Sequence, residues 1–152
     1  MSTGRRYNGF TNQSLGASAT APMFTLTGAT TVRARVYEFN AGSDATPADQ
    51  AQKFAWQRHT ANFGTPAAVT PVALDPGDPA SLILFSAPGG VAPTLTANAF
   101  LYQWAQNARA NFRWIAAPDS EMVMPASTNG LALMNLVSTA TQNWAWSVLW
   151  AE

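Results

Sequence analysis

At 152 residues and 16.2 kDa the chain has the size of one domain around a single core, and too little length for two complete ones. Charged residues are only 11% of it, where about 25% is usual, and eight Lys and Arg balance eight Asp and Glu, so no basic field exists to draw in nucleic acid or an anionic membrane. Cysteine is absent, which rules out a disulfide framework, thiolate-held zinc and a cysteine nucleophile.

Residues 1–20 are small and polar, with Arg5 and Arg6 but no apolar core, and they read as a flexible N-terminal arm rather than a secretory signal. No window approaches the roughly 18 apolar residues of a membrane helix, so a soluble protein is expected. From residue 21 to 152 short apolar or alternating runs are broken by Pro, Gly, Asn and Asp, as in a single domain of strands joined by turns.

Thr31 to Phe39 reads TVRARVYEF, with Val32, Ala34 and Val36 facing one way and Arg33, Arg35, Tyr37 and Phe39 the other. Phe54, Trp56 and Arg58 alternate with Ala55, Gln57 and His59 in the next strand. Thr65 to Pro79 reads as loop, because Pro76 and Pro79 lack the amide that a sheet ladder needs. A weak strand over Leu82 to Phe85 ends at the turn Ala87-Pro88-Gly89-Gly90. Phe100, Tyr102 and Trp104 alternate, as do Ala110, Phe112, Trp114 and Ala116; Glu121 to Met124 and Leu131 to Val137 follow. In the last strand Trp144, Trp146, Val148 and Trp150 share one face.

About eight or nine strands at this spacing, without a helical pattern, predict an all-β antiparallel two-sheet sandwich of jelly-roll type. A sheet protein with one lysine, Lys53, has little charge with which to blunt its edges, so a subunit partner is expected to cover them. Trp144, Trp146 and Trp150 could form a sugar-stacking platform, but Ala145, Ser147 and Leu149 between them offer few hydrogen-bonding groups, and the balance falls to core or subunit-interface anchors.

Catalysis finds little footing. His59 is the sole histidine, no Gly-x-Ser-x-Gly elbow exists, and the carboxylates show no spacing that pairs two of them, so no enzyme and no cofactor are expected. Asp75 and Asp78 could hold a calcium ion, yet Asp-Pro-Gly-Asp-Pro is a turn sequence in its own right, and turn is the preferred reading.

TTVRARVYEF, ALDPGDPAS and ANFRWIAAPDSEMVMPASTNGLAL, followed by a last strand ending in an acidic residue, resemble a family of small virion proteins of tailed bacteriophages, over most of residues 30–152. Its members look like jelly-roll decoration, or cement, proteins on the capsid exterior. The resemblance implies a homotrimer, assembled onto the shell in the host cytoplasm, that bridges major capsid subunits and does no catalysis. The arm would then dock on the shell through Arg5, Arg6 and Tyr7, ordering as it binds. The alternatives are a glycan-binding adhesion module and a head-fibre or tail component with a lectin-like sandwich.

Overall fold

The computed structural model describes residues 4–15, 21–43, 46–137 and 142–152. Among them are twelve strands and no helix: β1 (Arg6–Leu15), β2 (Pro22–Thr27), β3 (Arg35–Ser43), β4 (Ala51–Ala61), β5 (Ala67–Val69), β6 (Val72–Ala73), β7 (Leu84–Ala87), β8 (Thr94–Asn107), β9 (Phe112–Ile115), β10 (Met122–Val123), β11 (Gly130–Val137) and β12 (Gln142–Ala151). All pairings are antiparallel, in two sheets. The first runs β10-β3-β12-β1-β6, with β9 also on β3, and the second runs β5-β7-β2-β11-β4-β8.

The two sheets face each other across a core of aromatic rings, the arrangement that lets each bury one side. Phe54 of β4 sits 5.0 Å from Trp144 and 5.1 Å from Trp146 of β12, both edge to face. Phe24 of β2 meets Trp146 at 5.9 Å, and Phe39 of β3 meets Trp56 of β4 at 5.5 Å. Each such ring removes a large apolar area from water, and the tilted geometries add the attraction of a ring edge for a ring face.

Three expectations need correction. Arg6 to Leu15 does not form an arm: it is a strand paired with β12 over its full length and with β6 near its start. The register locks its alternation, with Tyr7, Gly9 and Thr11 facing the core and Arg6, Phe10 and Asn12 facing out. The remainder of the expected arm, residues 1–3 and 16–20, lies outside the described residues. Second, Phe39 does not face away from Val36. The ladder shifts between Leu149 and Trp150 of β12, a bulge that puts both residues on the core side. Third, the proline-rich stretch carries two short strands, β5 and β6, which extend the sheets between its prolines.

At one end of the sandwich the core turns polar. Gln52, Asn135 and Gln142 are buried there, at the ends of β4, β11 and β12, and their carboxamides bond to no group among the described residues. At the opposite end Glu152 ties the sheets together. Its carboxylate accepts from Ser81 Oγ, from the Leu82 and Ile83 amides at 3.2 and 3.3 Å, and from Trp150 Nε1 at 3.1 Å.

Candidate functional site

The singled-out residues separate once placed in the fold. Trp144, Trp146 and Trp150 are all fully buried within one chain, so none can serve as the expected subunit-interface anchor; they are its core. Tyr7 belongs to the same core: its ring stacks on Trp150 at 6.1 Å and its hydroxyl donates to the Pro79 carbonyl at 3.0 Å. A shell cannot reach it. Arg5 and Arg6 are exposed at the start of β1, where Arg5 Nε lies 4.0 Å from Asp78.

His59 is buried, and its Nε2 donates to the Leu26 carbonyl at 3.1 Å. Burial pushes the imidazole below its ordinary value of 6.5, which keeps it neutral near pH 7. Asp75 closes a turn: its carboxylate accepts from the Gly77 amide at 2.8 Å and its carbonyl from the Asp78 amide at 3.0 Å. No group of three or more His, Cys, Asp or Glu stands together as a metal site among the described residues.

The outer faces of the two sheets differ. On the second sheet the outward residues of the central strands are themselves buried: Thr25, Ala55, Gln57, Ala132 and Met134. Asn62, in the segment after β4, bridges Thr25 Oγ1 at 2.6 Å and Ser86 Oγ at 3.2 Å there, and Gln57 donates to the Thr96 carbonyl at 2.8 Å. On the first sheet the outer face is open. Phe10 is 53% exposed, and Ile115 and Val72 stand out from the same face.

Strand register arranges that face in rows. Phe10 pairs with Ser147, Ser147 with Asn40, and Asn40 with Arg113, one residue from each of β1, β12, β3 and β9. With strands about 4.8 Å apart, the row runs roughly 14 Å from the Phe10 position to Arg113. Beside it Ala145 pairs with Gly42, giving a floor of small residues. The result is a groove of about 390 Å³ between the Phe10 ring and the polar groups of Asn40, Asn111 and Arg113.

Its polar wall is held from behind. Arg113 Nε donates to Glu38 Oε1 at 2.7 Å, and Asn40 Nδ2 donates to the same oxygen at 3.3 Å. The Arg113 guanidinium holds the Glu38 carboxyl below its ordinary value of 4.5. The bare Gly42 leaves space for the Asn111 carboxamide, since a β-carbon there would stand 2.7 Å from Asn111 Oδ1 and displace it. Sequence reasoning passed over this groove because Phe10, Asn40 and Arg113 lie in three separate strands and only the register joins them.

A second hollow of about 520 Å³ lies on the same face toward Arg6, Arg35, Tyr37 and Glu121. Arg35 approaches Glu121 to 3.9 Å, so this hollow carries both signs of charge. Comparison with protein-family models, with curated proteins and with solved structures found no match. Function is therefore argued from the surfaces themselves.

Proposed function

We propose that the chain is a structural virion protein of the decoration type, a homotrimer on the outside of a tailed-phage shell that bridges major capsid subunits. The observation that carries the assembly part is β8. It is an edge strand that, among the described residues, pairs only with β4; its fourteen residues, TLTANAFLYQWAQN, contain no charge and no proline, and its ladder is regular from Tyr102 to Asn107 before bulges interrupt it toward Leu95. An edge recruits further chains where no charge, proline, bulge or covering segment blocks it, which leaves residues 102–107 as the regular template. Phe100 and Leu101 add exposed apolar surface along it.

The strand order supports a jelly roll, the fold implied by the sequence resemblance. With β5, β6, β7 and β10 set aside, β1-β12-β3-β9 faces β2-β11-β4-β8, an order compatible with the double Greek key of a jelly roll. A contact between the β8 edge of one copy and a different surface of the next forms a ring where the rotation between copies closes, of which three is the smallest, and an open filament where it does not. Three copies on one shell then bind with an avidity that no single contact supplies. Arg5 and Arg6 remain available to such a shell.

Light scattering of the purified chain tests assembly, with about three times 16.2 kDa expected. Leu101→Lys with Gln103→Lys should reduce that to monomer without loss of β-sheet circular dichroism. Co-sedimentation with phage capsids tests the shell contact. A wild-type protein that stays monomeric, or a trimer that leaves capsids bare, would remove the corresponding half of the proposal.

A further inference from the structure

The groove on the outer face of the first sheet has the makings of a ligand site that the assembly role does not use. Its volume of about 390 Å³ falls in the ~300–1,000 Å³ range of small-ligand clefts. One wall is an exposed ring, Phe10, on β1, which pairs with β12 along its whole length and with β6 at Tyr7 and Asn8. Facing it are groups that donate and accept. The terminal nitrogens of Arg113 and the carboxamide of Asn111 take no hydrogen bond among the described residues, and Asn40 Oδ1 is likewise unengaged while its Nδ2 is held by Glu38.

Charge narrows the ligand class. The one cation of the groove is already matched by Glu38 at 2.7 Å, so the site has donors without net positive charge. An anion would meet that carboxylate behind the guanidinium, whereas a neutral polyol meets an ordered fork of N–H donors, amide acceptors and a hydrophobic plane. The flat floor of Gly42 and Ala145 and the open ends of the row suit rings laid along it. Backbone groups of β12 under the floor are consumed by pairing with β1 and β3; the outer edge of β1 beyond Asn8 is unpaired among the described residues, and a peptide strand added there would lie on the far side of Phe10 from the floor.

We propose that this groove binds a neutral carbohydrate one or two rings long, with a sugar face against Phe10 and ring hydroxyls on Arg113, Asn40 and Asn111. The arrangement is preorganised: Glu38 fixes Arg113 and Asn40, and the lack of a side chain on Gly42 leaves room for Asn111 over the floor. It is independent of the trimer and shell proposals, since the groove belongs to the first sheet and the β8 edge to the second.

The test is an NMR titration of the purified protein, following backbone amides and the Arg113 Nε–H. The probes are neutral mono- and disaccharides of glucose, mannose, galactose and N-acetylglucosamine, with sialic acid as the acidic comparison. Binding of at least one neutral sugar is expected, with shifts centred on Phe10, Asn40, Asn111 and Arg113. Phe10→Ala should weaken it about tenfold, the equivalent of roughly 1.4 kcal/mol. Gly42→Ala, which displaces the Asn111 amide, should weaken it while the remaining amide spectrum stays intact. Absence of shifts with every neutral probe overturns the proposal, as do binding that is indifferent to Phe10→Ala and binding of sialic acid alone. None of these outcomes depends on the mass measured by light scattering, so the groove and the assembly fail or stand separately.

Discussion

Phe85 fills the place where a side chain on Gly9 would be: a β-carbon on Gly9 would stand 2.7 Å from Phe85 Cδ2. Gly9 belongs to the first sheet and Phe85 to the second, and the ring in turn stacks on Trp150 at 6.4 Å with an interplanar angle of 6°. The sheets close together here because one strand gives up a side chain. Gly9→Val should therefore cost about 1–3 kcal/mol through overpacking, read as a lower urea midpoint with an unchanged slope. Unchanged stability would mean that the ring has room to move.

Because Arg6 to Leu15 is a sheet strand, removing residues 1–15 uncovers one side of β12 and the rings beneath it. The truncated chain is expected to lose its near-ultraviolet circular dichroism and cooperative melting and to bind a hydrophobic dye. A milder change, Tyr7→Phe, removes the bond to the Pro79 carbonyl and should cost about 1 kcal/mol. A truncated protein that melts cooperatively would show that this segment is dispensable after all.

Below pH 4.5 acid should act through Glu38. Its carboxyl lies below 4.5 in the folded chain because Arg113 donates to it, so the stabilisation is full above 4.5 and is lost as pH falls through the folded value. Glu38→Gln is expected to flatten stability against pH below 4.5. Equal acid slopes for the two proteins would show that the pair contributes nothing.

His59 imposes a second dependence at higher pH. The unfolded chain takes up a proton near 6.5, while the buried imidazole resists it, so stability is full above 6.5 and declines as pH drops toward the lowered folded value. His59→Gln, which can still donate to the Leu26 carbonyl, should abolish the decline just below 6.5 whatever its cost at pH 8. Denaturant midpoints measured across that interval decide the matter.

Alternation made β4 and β12 readable. The tryptophans of β12 and the Phe54–Trp56 pair of β4 keep a strict period of two and all face the core. β1 was illegible because its inward positions are Tyr7, Gly9, Thr11 and Gln13, a row with one hydrophobe; the bulk that covers it comes from Phe85 and the tryptophans of other strands. Phe39 was misplaced because a bulge shifts the count by one without altering composition. The groove left no trace in the linear pattern, since Phe10 and Arg113 are 103 positions apart and meet only through three register contacts.

The carboxamides of Gln52, Asn135 and Gln142 at one end of the sandwich give the interior a direction. Water is less unwelcome beside them than beside Trp150, so thermal openings should start at that end and run toward the Glu152 clasp. Amide exchange would then be graded along β4 and β12, quickest near Gln52 and Gln142 and slowest beside Trp56 and Val148, so that the two halves of one strand differ in protection though their ladder bonds are alike.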